Sequence, residues 1–223
     1  MDFQKFDKIP RLSRDIVITE KIDGTNAQIY ICNYKTIFEY FGNDSDLVND
    51  FVDKYSLYKT VAVTDENDIM YMFAGSRRKW LDISSKGDNF GFAKWVQANA
   101  QELFKLGEGR HYGEWYGKGI QRNYGLEEKR LALFNVKKWE DPEVRPKCCG
   151  IVPVLYRGNF DTAMIQIQLD LLDNCGSKIA EGFKNPEGIV IYHTGSGKLF
   201  KKTIKDDEKP KEQVKKEKAE ITK

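Results

Sequence analysis

The chain has 223 residues, of which 40% are hydrophobic and 31% charged, with 36 Lys and Arg against 34 Asp and Glu. That length suits one domain or two small ones with a sizeable core. No apolar run nears the roughly 20 residues of a membrane helix, and no apolar signal segment opens the chain, so neither a spanning nor a secreted protein is expected. The net charge of +2 excludes a globally basic coat for nucleic acid and leaves room for a local basic groove.

The cysteines, Cys32, Cys148, Cys149 and Cys175, form no CxxC, and the histidines are His111 and His193 only. A structural zinc site and a disulfide scaffold are both disfavoured. Reduced thiols and a cytoplasmic location are expected, the host's cytoplasm if the chain is viral.

Taken in chain order, residues 15–21 (DIVITEK) alternate as a strand, with Ile16, Ile18 and Glu20 on one face. Residues 23–26 read as a turn, and 27–34 as a returning strand. Residues 46–58 place Leu47, Phe51, Val52 and Tyr55 at helical spacing. A strand over 69–76 precedes a helix over 89–106, whose apolar positions are Phe92, Trp95, Val96, Leu103 and Leu106. Strands are predicted over 110–115, 130–138 and 151–156. A helix over 161–175 is stopped by Gly176. Strands over 188–193 and 198–204 flank the hairpin turn Gly195-Ser196-Gly197. Residues 206–223 hold six acids and six lysines and no aromatic residue, and read as a disordered tail. The body, 1–205, is therefore an α+β domain of mainly antiparallel sheets with flanking helices.

The segment richest in chemistry is Glu20-Lys21-Ile22-Asp23-Gly24-Thr25-Asn26. An amine attacks phosphorus only when unprotonated, and burial near other cations favours that form. Gly24 permits close backbone approach to a ligand. Asp23 and Asn26 are suited to hold a ribose, a metal-bound water or a phosphate. The plain alternative is a surface lysine before a hairpin turn. Downstream, in order, come Ser76-Arg77-Arg78, Gly113-Glu114-Trp115, Phe134 in LALFNVKK, Glu187-Gly188-Ile189-Val190, and Phe200-Lys201-Lys202.

This ordered set resembles the covalent nucleotidyltransferase superfamily of nucleic-acid ligases and RNA capping enzymes. Asn26 after Asp-Gly-Thr is similar to its ATP-dependent RNA ligase branch. The resemblance covers residues 20–205 and implies an ATP-grasp-like ligase adenylation domain. It implies that Lys21 attacks the α-phosphorus of ATP to form lysyl-AMP. AMP then passes to an RNA 5′-phosphate, and a 3′-hydroxyl seals the strand in an RNA repair reaction.

Further roles follow from the same resemblance. Arg77 contacts the nucleotide or the 5′-phosphate, with Arg78 competing for that place. Glu114 accepts from ribose hydroxyls, and Phe134 stacks on adenine, against the plain reading of Phe134 as a core ring. Glu187, helped by Asp23, holds Mg²⁺ or Mn²⁺. Lys201 contacts the α-phosphate, and a second cation is open between Lys202 and Lys205. Glu20 and Asn26 line the nucleotide site. No OB-fold module is expected after the last motif, so RNA contacts would come from the domain's own surface or from a protein partner. The alternatives are a DNA ligase, an RNA-capping guanylyltransferase, or a non-catalytic RNA- or nucleotide-binding protein. A helical insertion within 27–76 has no role assigned by the resemblance.

Overall fold

A computed structural model of the chain describes residues 2–61, 69–84, 86–205 and 207. The predicted tail, 206–223, lies outside the described residues apart from Asp207. In chain order the elements are β1 (Asp15–Lys21), β2 (Thr25–Asn33), α1 (Tyr34–Tyr40), α2 (Ser45–Tyr55), β3 (Ser56–Val61), β4 (Ile69–Gly75) and β5 (Trp80–Leu81). There follow α3 (Phe92–Ala98), α4 (Ala100–Leu103), a 3-10 turn (Phe104–Leu106), β6 (Gly109–Gly117), β7 (Lys129–Leu133) and α5 (Val136–Trp139). The last are β8 (Cys149–Ile151), β9 (Val154–Asn159), α6 (Thr162–Cys175), β10 (Gly188–His193) and β11 (Lys198–Thr203). The chain divides into two compact units: the described parts of Met1–Ile22 with Val152–Lys223, and of Asp23–Ile151.

The first unit is an antiparallel sheet in the order β11-β10-β1-β9, with α6 on one face. The alternation of DIVITEK explains the placement. Ile16 and Ile18 point inward and pack with Ile189, Ile191, Leu169 and Leu172. Burying each such side chain contributes roughly 1.5–3 kcal/mol. Helix α6 starts where Asp161 accepts from the Ala163 N–H, and it ends at Gly176, whose φ is +89°. The predicted hairpin between the last two strands is present, with His193 opposite Lys198.

The second unit is a sheet in the order β3-β4-β2-β6-β7-β8, with β5 beside β4. Among the described pairings only β7–β8 is parallel. Alternate residues of β2 serve its two faces. Ala27, Ile29 and Ile31 pack with Phe92, Val96, Leu103 and Leu106 below α3 and α4. Cys32 lies on the other face with Tyr71 and Phe73, covered by Ile37 of α1 and Val48 of α2. The insertion therefore has a structural role: it closes one end of this second face.

Several boundaries differ from expectation for local reasons. The helix expected over 89–106 breaks at Asn99, whose side-chain amide donates to the Trp95 carbonyl at 2.8 Å. The strand expected over 130–138 stops at Leu133, because the Asn135 side chain accepts from the Lys138 N–H and starts α5. The strand expected over 151–156 is two strands, β8 and β9, one in each unit. Helix 46–58 ends at Tyr55, and the chain turns into β3. Most consequential, β1 and β2 are no hairpin. They belong to different sheets, and the segment 22–24 carries the chain from one to the other.

All four cysteines are free thiols. No helix among the described residues is long and apolar enough to cross a membrane. His111 is buried in β6, with Nε2 2.9 Å from the Gly107 carbonyl and its ring edge-on to Trp139. Burial pushes its pKa below the ordinary value. The unfolded chain then binds the proton more tightly, so the His111 contribution is present above about pH 6.5. It is lost as pH falls from there through the depressed folded value. Urea unfolding at pH 7 and pH 5 should show this loss in the wild type and a smaller one in His111→Gln. Equal losses would remove His111 as the cause.

Candidate active site

In the first unit the site grows from the end of β1. Pairing places Lys21 opposite Gly188, and Gly188 opposite Thr203. Directly opposed residues in an antiparallel sheet share a face. Lys21, Thr19 and Val17 therefore lie on the face opposite the α6 core. Glu187 precedes β10 and reaches back to Lys21, its Oε2 2.6 Å from the Nζ. Glu187 is 4% exposed. A buried carboxylate against a half-buried ammonium is not what a surface lysine before a hairpin turn would show.

The same register orders the C-terminal lysines. Lys201 pairs with Val190, which pairs with Thr19, so it shares the face of Lys21. Lys202 pairs with Ile189 and lies on the α6 face, where its Nζ donates to Gln166 at 2.8 Å. Lys205 follows the end of β11 and is exposed. Of the two candidates for a second cation, Lys202 points away from Lys21. Thr203 holds the row of Lys21 instead, its hydroxyl bonded to the Lys205 carbonyl.

Glu20 is 1% exposed and lies on the core face. Its carboxylate accepts from the Ser177 hydroxyl at 2.5 Å and from the N–H groups of Lys178 and Ile179. Burial pushes its carboxyl above the ordinary range, partly offset by these three bonds. As placed, Glu20 anchors the loop after α6, which leads to Glu187.

In the second unit the chain emerges with Asp23. Its N–H donates to the Tyr124 hydroxyl at 2.7 Å, and its Oδ2 lies 2.9 Å from the Nε of Arg122. The next N–H, of Gly24, donates to Glu114 Oε1 at 3.1 Å. A Cβ on Gly24 would clash with the Trp115 carbonyl, so only glycine allows this approach. Asn26, Glu114, Ala132 and Gly150 form one row across β2, β6, β7 and β8. Tyr112, two residues before Glu114, shares that face. The Phe134 N–H donates to the Tyr112 carbonyl, just beyond the end of β7. Tyr112 is 46% and Phe134 40% exposed, so Phe134 is not a core ring.

Arg77 and Arg78 occupy the tight turn between β4 and β5, closed by the Ser76 N–H on the Lys79 carbonyl. Both are exposed at its tip. Strand alternation, which would have set one against the other, does not apply there. Sequence reasoning missed Tyr112, Arg122 and Tyr124. The two-residue step from Glu114 could have found Tyr112. Nothing in the spacing marks Arg122 or Tyr124, which reach Asp23 from 99 and 101 residues away.

The Gly117–Gln121 stretch opens a built loop. Ile120 is 0% and Tyr124 2% exposed, and Gln121, Asn123 and Tyr124 have positive φ. Tyr124→Phe removes the acceptor of the Asp23 N–H and is expected to cost about 1–3 kcal/mol. Arg122→Ala breaks a partly exposed ion pair and should cost about 1 kcal/mol or less. Urea unfolding of both variants checks the order, and a larger loss in Arg122→Ala would refute it.

No group of three or more His, Cys, Asp and Glu is assembled for a metal among the described residues. Magnesium is commonly bound through one or two carboxylates, water and substrate phosphates, which Glu187 fits. Asp23, as placed, is engaged by Arg122.

Lys21, at a strand end, is thus held against the buried Glu187 carboxylate, and the Lys201 ammonium stands on the same sheet face. The sequence profile of the RNA ligase family matches residues 14–205, and the chain belongs to that family. No curated protein sequence matches it at a significant level. Among solved structures it is similar to the Naegleria gruberi RNA ligase. A variant with AMP and Mn gives a TM-score of 0.53 at 16% identity, over 86% of this chain and 50% of that one. A variant with ATP and Mn gives 0.51 at 16%, over 93% and 53%. The same ligase with PPi gives 0.50 at 18%, over 85% and 49%. At these identities the likeness concerns the fold. The chain spans about half the length of the solved ligases it matches.

Proposed function

We propose that the chain is an ATP-dependent RNA ligase that works through a lysyl-AMP intermediate on Lys21. The observation that carries this reading is Lys21 Nζ at 2.6 Å from buried Glu187, on the sheet face it shares with Lys201. Family membership and the nucleotide complexes of the Naegleria gruberi enzyme support it.

As an ion-pair partner Lys21 is an ammonium and cannot attack. Its proton must leave and the Glu187 carboxylate must turn to another cation before reaction. The neutral amine then attacks the α-phosphorus of ATP in line. A P–N bond forms, the P–O bond to the β-phosphate breaks, and pyrophosphate leaves. An RNA 5′-phosphate oxygen next attacks that phosphorus and Lys21 departs, regaining a proton. Finally a 3′-hydroxyl attacks the 5′-phosphorus, loses its proton, and AMP leaves.

Such displacement depends on positioning and charge neutralisation. Lys201, on the sheet face of Lys21, would neutralise charge on the α-phosphate. Glu114 suits ribose hydroxyls, Asn26 extends its row, and Phe134 and Tyr112 offer exposed rings for adenine. Arg77 and Arg78, at a turn tip, suit a terminal phosphate rather than a buried one. Glu187 would hold Mg²⁺ or Mn²⁺, whose chemistry is to neutralise phosphate charge and orient its oxygens.

The test is incubation with ATP labelled at the α-phosphate, with Mg²⁺ or Mn²⁺. A labelled protein band that releases AMP in acid is expected. Absence of any adduct with all four ribonucleoside triphosphates would sink the reading. Sealing of nicked duplexes with a ribose or deoxyribose 3′-end then separates RNA from DNA joining.

A further inference from the structure

Among the described residues helix α6 is the helix of the first unit, and it packs on one face of its sheet. The opposite face carries Lys21. Register divides that face into rows. The first is Lys21, Gly188 and Thr203, and the second is Thr19, Val190 and Lys201. The third runs across all four strands as Arg157, Val17, Tyr192 and Leu199. Rows two residues apart are separated by roughly 6.8 Å, so the third lies about 14 Å from Lys21.

The third row is exposed where a core row would be covered. Tyr192 is 40% and Leu199 68% exposed, and Arg157 is exposed at the other end. The three rows carry the cations Lys21, Lys201 and Arg157, with Glu187 held against Lys21 and the Asp207 carboxylate bonded to Thr203 at the end of the first row. Asp15, opposite Asn159, begins only the fourth row.

We propose that the row Arg157–Val17–Tyr192–Leu199 seats the RNA strand that the enzyme joins. The proposal rests on the ligase reading above. An RNA end delivered to Lys21 must continue away from it across some surface. This row continues in register from the nucleophile and combines an exposed aromatic ring with a guanidinium. Tyr192 offers its ring to a base or ribose, Leu199 pads the same contact, and Arg157 meets a backbone phosphate. A purely apolar protein contact would be served by Tyr192 and Leu199 but would make no use of Lys201 in the adjoining row.

The experiment uses the full chain and a 5′-phosphorylated single-stranded oligoribonucleotide, followed by fluorescence anisotropy across a salt series. Tyr192→Ala should weaken binding about 10- to 100-fold, from the usual strength of base–aromatic stacking. Tyr192→Phe should restore most of it. Arg157→Ala should lower the slope of log affinity against log salt by about 0.7, one phosphate contact of a single strand. Tyr40→Ala, on an exposed ring of α1, should change neither quantity. Unchanged RNA affinity in Tyr192→Ala, or a wild type that binds no RNA, overturns the proposal. So does a wild-type dimer that Tyr192→Ala dissociates while RNA affinity holds, since the row would then serve self-association. Adduct formation with ATP alone is measured in parallel. Its absence in the wild type defeats the ligase reading, whereas a normal adduct with unaltered RNA affinity in the variants defeats only this one.

Discussion

Lys21→Ala is expected to yield no labelled protein when incubated with α-labelled ATP. The loss should be at least about 10⁴-fold, as is usual when a covalent nucleophile is removed. Lys21→Arg makes the argument sharper. A guanidinium retains the charge that faces Glu187, but it does not deprotonate in proteins. If Lys21 served only as a cation for Glu187 or for phosphate, the Arg variant would keep much of the activity. If its neutral amine forms the P–N bond, both variants fail alike. Urea unfolding accompanies the assay. Lys21→Ala removes the cation from a buried carboxylate, so it should lower stability, while Lys21→Arg should lower it less. A labelled band in either variant would move the nucleophile elsewhere.

Glu187→Gln is the second large effect. The amide keeps the size of the side chain and an oxygen that accepts from Lys21, but it loses the negative charge. Adduct formation should fall by about 10²–10³-fold, the range seen when one electrostatic contact to a reacting group is removed. The concentration of Mg²⁺ or Mn²⁺ giving half-maximal adduct should also rise. That second readout separates a metal-holding role from a purely structural one, in which the rate would fall without a change in metal demand. More than a tenth of wild-type adduct at ordinary metal concentration would exclude Glu187 from the reaction.

How much of the site was legible follows from the distance over which each residue is fixed. Lys21 could be placed on a strand end because DIVITEK alternates over its whole length. Lys201 could be set on its own face, opposite Lys202, by the same period of two. Glu114 was readable within its aromatic strand, and the period would have delivered Tyr112 as well. Phe134 was placed in a strand, and the structure puts it past the strand's end on an exposed edge. One capping residue, Asn135, decides that. Arg77 and Arg78 follow the strand predicted over 69–76 and sit on a turn, because Trp80 and Leu81 fold back to pair with Gly75 and Ala74. Glu20, assigned to the nucleotide, is spent on Ser177 and two backbone N–H groups over 150 residues away in sequence.

The sequence by itself determined the α+β class, the strand carrying Lys21, the order of the site residues and the hairpin that bears Lys201. Those depend on local periodicity, turn chemistry and motif order, which are written in adjacent residues. Only the tertiary structure decided that 22–24 links two sheets instead of closing a hairpin, that Glu187 faces Lys21, and that Arg122 and Tyr124 hold Asp23. Strand pairing and buried polar contacts are set by which distant segments pack together. A nearly neutral chain thereby concentrates Lys21, Lys201 and Arg157 on one sheet face, an arrangement that a net charge of +2 does not reveal.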